Sequence, residues 1–377
     1  MTGVGGWGYL GVFCTTAVLT LLLTPLAIRL AVKGDVLDHP SAIKAQASPV
    51  PYLGGAAIVL SFAVVVLIAA LFRPPATGLG ELAVILGLAS LLGVMGLVDD
   101  LRGLSPWLRL LLEIAAGVVV WATSAGAELF SNDVLNLLVT VGWIVVVTNA
   151  FNLLDNMDGL SAGTAAIAAL FVFVLAVDNE QFLVAVLAIA LAGCAIGFLR
   201  SNFHPARIYM GDAGSLFLGF LLAVLAMKID LVDAPRLVSL GVPLVLLGVP
   251  LFDTTLVTVN RLRHGRSPLS GGRDHVSHRL VFVGVSVPVA VGLTYVAAVS
   301  LGVQALVLAR VDRTSGLLVL GWLALLAGLV GGLLSGVPVY ETSRRRHFML
   351  QVVREHEAEP PAGLGSAAEG DDVEDAS

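Results

Sequence analysis

About eleven apolar runs of roughly 20 residues follow one another along the chain. They lie near 7–31, 53–72, 81–98, 107–125, 134–151, 160–177, 181–199, 213–228, 237–259, 281–304 and 314–335. A helix of that length spans a hydrocarbon layer, and inside lipid the backbone must satisfy its own hydrogen bonds within each segment. The runs therefore predict an all-α, polytopic integral membrane protein with about eleven transmembrane helices. Composition agrees: 57% of residues are hydrophobic and 13% charged, which excludes an ordinary soluble domain. No internal repeat emerges, and nothing in the chain reads as a nucleic-acid-binding surface.

The expected organisation is a transmembrane domain over 1–340 and a cytoplasmic tail over 341–377. From Ala358 the tail is rich in Pro, Gly, Ala, Asp and Glu, a composition that favours disorder. It also dominates the net charge of -6. Cys14 and Cys194 lie in apolar runs and read as small buried hydrophobes. No basic stretch precedes the first apolar run, so no cleaved signal peptide is expected.

The loops alternate in charge. One side carries Lys33, Lys44, Arg102, Arg109, Arg200, Arg207, the Arg261–Arg279 group and Arg344 to Arg346; the other carries Arg73, Lys228, Arg236, Arg310 and Arg313. The positive-inside rule makes the first side cytoplasmic. An outside N-terminus and an inside C-terminus require an odd number of spans, as eleven is.

Polar clusters collect on that side. At the end of the apolar run 134–148 stands Asn149-Ala-Phe-Asn-Leu-Leu-Asp-Asn-Met-Asp-Gly-Leu160. Asn149, Asn152, Asp155 and Asp158 recur every third residue, which on an α-helix makes a slowly winding polar stripe over about three turns. Carboxylates and amides are costly at the edge of a membrane, so a site is the expectation; the alternative is a polar cap closed by Gly159. Asp99 and Asp100 are adjacent carboxylates that repel unless a cation or proton sits between them, which suggests a divalent metal, a proton acceptor, or both. The 200–215 stretch holds Asn202, Tyr209, Gly211, Asp212 and Gly214. Asp212 opens a new span, either as a site residue or as an N-cap. Tyr209 reads as a platform for a planar base or as an interfacial aromatic.

The loop 38–55 uses prolines and glycines to re-enter the membrane, and its Lys44 is a candidate phosphate holder or an ordinary positive-inside lysine. The basic loop 261–280 contains Arg273, His275, His278 and Arg279. Without a cysteine or third histidine it does not read as a zinc site. Histidines among arginines suit a diphosphate or a sugar, or anionic headgroups. Together, carboxylates that hold a hard cation and basic side chains that offset phosphate charge describe phosphoryl transfer, and the membrane setting adds a lipid substrate.

These motifs resemble the polyprenyl-phosphate N-acetylhexosamine-1-phosphate transferases. The aspartate pair, the Asn-x-x-Asn-x-x-Asp block at 149–160, the Met-Gly-Asp-x-Gly-Ser block at 205–215 and the histidine–arginine loop at 274–280 stand in that family's order. The likeness runs over about residues 35 to 335. It implies transfer of a sugar 1-phosphate from a UDP-N-acetylhexosamine to polyprenyl phosphate, with release of UMP and dependence on Mg2+ or Mn2+. It implies Asp212 as the metal ligand and Asp99, Asp100, Asp155 and Asp158 as the catalytic acids. Lys44, Asn149, Asn152, Asn202, Tyr209, Arg273, His275, His278 and Arg279 are implied as substrate-binding residues. It further implies catalytic loops on the cytoplasmic face of the plasma membrane, surrounding membrane lipids, and a homodimer. Three departures stand out: Asp155-Asn156 replaces the usual Asp-Gly, Ile43-Lys44-Ala45-Gln46 replaces the usual Arg-Lys-x-His, and Tyr209 replaces Phe.

The triple-histidine signature of the pentapeptide-transferring branch is absent, which favours the N-acetylglucosamine-1-phosphate branch and a first membrane step of cell-envelope polysaccharide synthesis. Direct attack by the lipid phosphate and a two-step route through an aspartyl phosphate both remain open from sequence. The competing readings are a transporter with a carboxylate relay and a homologue that has lost catalysis.

Overall fold

The computed structural model describes residues 6–39, 48–72, 78–123, 126, 129–231 and 235–340. Lys44 and the tail from residue 341 lie outside the described residues. Met1–Val337 forms one compact unit. Its described part is helical apart from a two-residue antiparallel pairing of β1 (Leu37–Asp38) with β2 (Val50–Pro51).

The helices are α1 (Gly6–Lys33), α2 (Gly54–Phe72), α3 (Leu79–Arg102), α4 (Pro106–Ala122), α5 (Asp133–Leu154), α6 (Leu160–Asp178), α7 (Phe182–Asn202), α8 (Gly211–Met227), α9 (Arg236–Leu246), α10 (Gly248–Arg263), α11 (Val276–Phe282), α12 (Val287–Leu308) and α13 (Arg313–Ser335). Eight are long and apolar enough to cross a membrane, or nine if α9 and α10 make one broken span. Helices α4 and α8, at 17 residues each, cover the two remaining apolar runs. Length and composition thus assign eight or nine spans, and eleven requires α4 and α8 to cross as well.

The break between α9 and α10 bends the chain by 76° at Leu247. Pro250 explains it: a continuous helix would need an N–H there, and the proline ring would clash with the carbonyl of Leu246.

Helix α8 is the axis. Every residue from Ala213 to Ala226 is buried, as expected of a helix that is apolar all round. Helices α2, α3 and α5 pack on it, and α6 and α7 pack on each other beside it. At about 25 Å, α8 is shorter than a hydrocarbon core of roughly 30 Å. Helix α13 is peripheral, with Gly316 its one buried residue.

The up-and-down course from α3 to α8 matters for function. It brings the C-terminal ends of α3, α5 and α7 and the N-terminal ends of α4, α6 and α8 to one end of the bundle. Three of the polar clusters predicted from sequence, at Asp99-Asp100, Asn149 to Leu160 and the 200–215 stretch, lie on those ends. At the opposite end Lys228 pairs with Glu81 at 2.5 Å, and Arg310 pairs with Asp178.

Candidate active site

Helix α5 ends at Leu154, so the polar stripe is not one continuous helix. Asn149 and Asn152 lie on the last turns, Asp155 is the C-cap, and Asp158 sits in the turn that leads to α6. The early stop has local causes. The Asn156 amide donates to the carbonyl of Leu153 at 2.8 Å and so satisfies a helix-end acceptor. Gly159, in a left-handed conformation (φ 77°), starts α6 rather than ending α5.

The centre of the site is three side chains from three helices. One guanidinium nitrogen (Nη1) of Arg109 on α4 lies 2.6 Å from Asp99 Oδ2 on α3 and 2.6 Å from Asp212 Oδ2 on α8. Asp99 is further held by the Leu104 N–H at 2.5 Å. Asp212 Oδ1 accepts from the Asn152 amide at 2.7 Å, and the same amide nitrogen donates to Ser215 at 2.9 Å. Asn149 donates to Glu113, which is buried one turn along α4 from Arg109. The two asparagines of α5 therefore reach α4 and α8 in turn.

Asp100 is engaged differently. Its two oxygens accept the backbone N–H groups of Asp212 (3.0 Å) and Ala213 (3.2 Å), the first orphan donors of α8. A carboxylate there also complements the positive end of the helix. Two glycines permit this approach. A side chain at Gly96 would run into the backbone of Asp212, and one at Gly211 (φ 65°) would strike the Asp100 carboxylate. The re-entry stretch predicted before α2 braces the same place: Tyr209 N–H donates to Pro51 O, and Gly54 N–H donates back to Tyr209 O.

Asp155 is half-buried and takes no hydrogen bond or ion pair among the described residues. Burial, and after it the charges of Asp212, Asp100 and Asp158, push its carboxyl up to about 8. Asp158 instead binds His204 Nδ1 at 2.8 Å and the Ala206 N–H at 3.0 Å. Asn202 is buried and ties two loops together, accepting from Gly159 N–H at 3.1 Å and donating to Ile208 O at 2.9 Å. Tyr209 is half-buried, and burial followed by Asp158, Asp38 and Asp155 pushes its phenol up to about 12.

The histidine–arginine loop folds into α11, and its polar residues divide into two groups. Arg261 grips Asp274 with two nitrogens at 2.8 and 2.7 Å. His275 is held by Asp253 at 2.7 Å. Arg279, fully buried, donates to the carbonyls of Asp274 (2.8 Å) and Leu334 (2.7 Å). By contrast, Arg273 is exposed and His278 half-buried, and among the described residues neither takes a hydrogen bond or ion pair. Burial, then the charges of His275 and Arg273, lower the His278 imidazole to about 4, so it is neutral at pH 7. Ser277 Oγ donates to Asn156 Oδ1 at 2.6 Å and so joins this loop to the end of α5.

The structure thus brings together Asp99, Asp100, Asn149, Asn152, Asp155 and Asp212, with Asp158, Asn202 and Tyr209 alongside and α11 attached through Asn156. Sequence reasoning gave no site role to Arg109, Glu113, His204, Asp253 or Ser277, and noted Asn156 only as a departure from the resembling family. Charged residues inside apolar runs, as Glu113 and Asp253 are, were the available signal.

The donors suit a hard divalent cation. No three Asp, Glu, His or Cys side chains close into a metal cage among the described residues. Mg2+, however, is commonly held by one or two carboxylates and completed by substrate phosphates and water. Asp99 and Asp212 already converge on one cationic nitrogen.

The sequence profile of "Glycosyl transferase family 4" matches residues 82–230, the segment that carries this centre. A Bacillus subtilis protein described as "Probable undecaprenyl-phosphate N-acetylglucosaminyl 1-phosphate transferase" is 32% identical, over 78% of this chain and 84% of its own length. The chain belongs to glycosyl transferase family 4. "Decaprenyl-phosphate N-acetylglucosaminephosphotransferase" of Mycolicibacterium smegmatis is 33% identical over 74% of this chain and 77% of its own length. "Phospho-N-acetylmuramoyl-pentapeptide-transferase" of Streptococcus sanguinis is 31% identical over 64% of this chain and 78% of its own.

Proposed function

We propose that this family 4 protein transfers N-acetylglucosamine 1-phosphate from UDP-N-acetylglucosamine to a polyprenyl phosphate, giving the polyprenyl diphosphate sugar and UMP. The observation that carries the reading is the Asp99–Arg109–Asp212 centre, with Asp155 beside it and the α11 loop tied to the end of α5 through Ser277 and Asn156. The relatives' names supply the acceptor and the sugar phosphate. The positive-inside pattern supports a cytoplasmic position for this end of the bundle, and in the plasma membrane a nucleotide sugar would there meet a lipid phosphate. A homodimer in the membrane is the assembly we assign.

An oxygen of the lipid phosphate attacks the β-phosphorus of the donor, and the bond from that phosphorus to the UMP oxygen breaks. Asp99 and Asp212 would hold Mg2+, which when bound would neutralise diphosphate charge. Arg109 keeps the two carboxylates together and adds positive charge where the leaving group departs. Asp155 makes no side-chain hydrogen bond among the described residues and, in its ionised form, accepts a residual proton from the lipid phosphate; burial raises its proton affinity. His278 and Arg273 meet the diphosphate and sugar, and Tyr209 stacks on the uracil.

The two-step alternative needs an oxygen of Asp99 or Asp100 to form a full covalent bond to phosphorus, which would give up the hydrogen bond that oxygen makes. Asp99 is engaged by Arg109 and Leu104, and Asp100 by Asp212 and Ala213. That favours direct attack.

UMP release by purified protein with polyprenyl phosphate and Mg2+ tests the reading, comparing UDP-N-acetylglucosamine, UDP-N-acetylgalactosamine and UDP-muramoyl pentapeptide. Release that requires lipid and metal, with UDP-N-acetylglucosamine preferred, is expected. Folded protein that releases UMP with none of the three donors would overturn it.

A further inference from the structure

Two side chains in the site, Asp155 and His278, are open for a ligand. Each is next in sequence to a residue of one hydrogen bond: Asn156 follows Asp155, and Ser277 precedes His278. Ser277 Oγ donates to Asn156 Oδ1 at 2.6 Å across 121 residues of chain. The bond therefore joins the backbones that carry the two open groups.

Its surroundings make it specific. The other end of the Asn156 amide is fixed on the Leu153 carbonyl at 2.8 Å, so the acceptor oxygen cannot turn away without losing a helix-end bond. Ser277 is buried, so water does not compete freely for its hydroxyl. The remaining anchors described above hold α11 to α10 and to the end of α13. Ser277 is the link that crosses to α5. A glycine at 156, which the resembling family usually carries, offers no such acceptor.

We propose that Asn156 and Ser277 are a positioning pair that fixes the gap between Asp155 and His278, and that the diphosphate-linked sugar of a nucleotide-sugar donor is held in that gap. The proposal rests on the transferase reading. Neither residue touches the reacting atoms; both act by locating their neighbours. Loss of the bond lets α11 shift against the end of α5 and loosens donor binding, while the Asp99–Arg109–Asp212 centre stays assembled.

The test is a double-mutant cycle on the full-length enzyme, using Asn156→Gly, Ser277→Ala and the double variant. Asn156→Gly removes both bonds of the amide, whereas Ser277→Ala removes the inter-loop bond alone. Each single change is expected to raise the KM for UDP-N-acetylglucosamine about fivefold, the worth of one ordinary hydrogen bond, with kcat within about twofold of the parent. The double variant should be no worse than the poorer single, because the partners share one interaction. Amide exchange over 274–283 should speed up in both single variants, which reads the coupling without catalysis. Additive KM losses, a fall in kcat with unchanged KM, or unchanged exchange would overturn the positioning pair. A parent enzyme that releases no UMP with any donor would instead overturn the transferase reading.

Discussion

Arg109 and Asp212 are 103 residues apart in the chain and meet at 2.6 Å, and the same Arg109 nitrogen is 2.6 Å from Asp99. One cation thus holds two carboxylates that would otherwise repel. Replacing it by a neutral isostere exposes that repulsion. Arg109→Met should lower the metal-free stability by about 1–3 kcal/mol, the cost of losing charge-assisted hydrogen bonds. It should cut kcat/KM by roughly 100-fold, the scale of one preorganised charge-stabilising group. Added Mg2+ should raise the melting temperature of the variant more than that of the parent. Equal Mg2+ shifts in both proteins would mean that Arg109 does not balance this pair.

Asp99 and Asp100 are adjacent yet face different partners, and the difference is measurable. Asp100 caps α8 through two backbone N–H groups. Asp100→Ala removes both acceptors and should cost about 1–2 kcal/mol, whereas Asp100→Asn keeps one acceptor and should cost less. Asp99→Asn leaves the α8 cap intact and should act chiefly on kcat. Thermal melts of the three variants beside UMP-release kinetics check this. Equal stability of Asp100→Ala and Asp100→Asn would remove the cap from the account.

How much of this was legible beforehand depends on the residue. The apolar runs and the one-sided clusters were plain, because lipid allows few folds and expels charge from all but functional places. The Asn149-to-Leu160 spacing marked a stretch whose Asn152 reaches Asp212 but predicted too long a helix, since the Asn156 side chain closes α5 by a bond that spacing alone does not reveal. Arg109 read in sequence as one more positive-inside cation, and Glu113 carried no motif. Their partners come from α3, α5 and α8, and only packing supplies those. Pro250 was visible, but the size of the bend at Leu247 depends on what packs around it. In the histidine–arginine loop the two arginines looked alike, because a buried Arg279 and an exposed Arg273 differ in surroundings and not in type.

Asp155 carries a stability cost that depends on pH. Its carboxyl is pushed up to about 8 by burial and by neighbouring carboxylates, while an unfolded aspartate ionises near 3.9. Between those values the unfolded state is ionised and the folded state holds a proton. Folding then becomes less favourable as pH rises, and the penalty levels off above the folded value. Asp155→Asn removes the penalty. In EDTA, the variant should melt above the parent by a margin that is small near pH 5, widens toward pH 8 and then stays flat, while UMP release falls sharply. A margin that does not change with pH would place the Asp155 titration elsewhere.

The loop around α11 yields the sharpest division between fold and chemistry. Arg279 is fully buried and donates to the carbonyls of Asp274 and Leu334, so truncating it leaves buried acceptors without a donor. Arg279→Ala should cost at least about 3 kcal/mol and lower the yield of folded protein. His278 takes no such bond among the described residues and is neutral at pH 7, its pKa lowered to about 4. His278→Ala should melt within about 2 °C of the parent and raise the donor KM about tenfold. No limb of the parent's pH–rate profile between pH 5 and 9 should vanish with it, because the imidazole does not change charge in that range. Melting curves and donor titrations of the two variants, measured side by side, decide the point. A His278 variant that unfolds like Arg279→Ala would make the imidazole part of the scaffold, and an Arg279 variant that stays folded with a raised donor KM would bring that guanidinium into contact with the substrate.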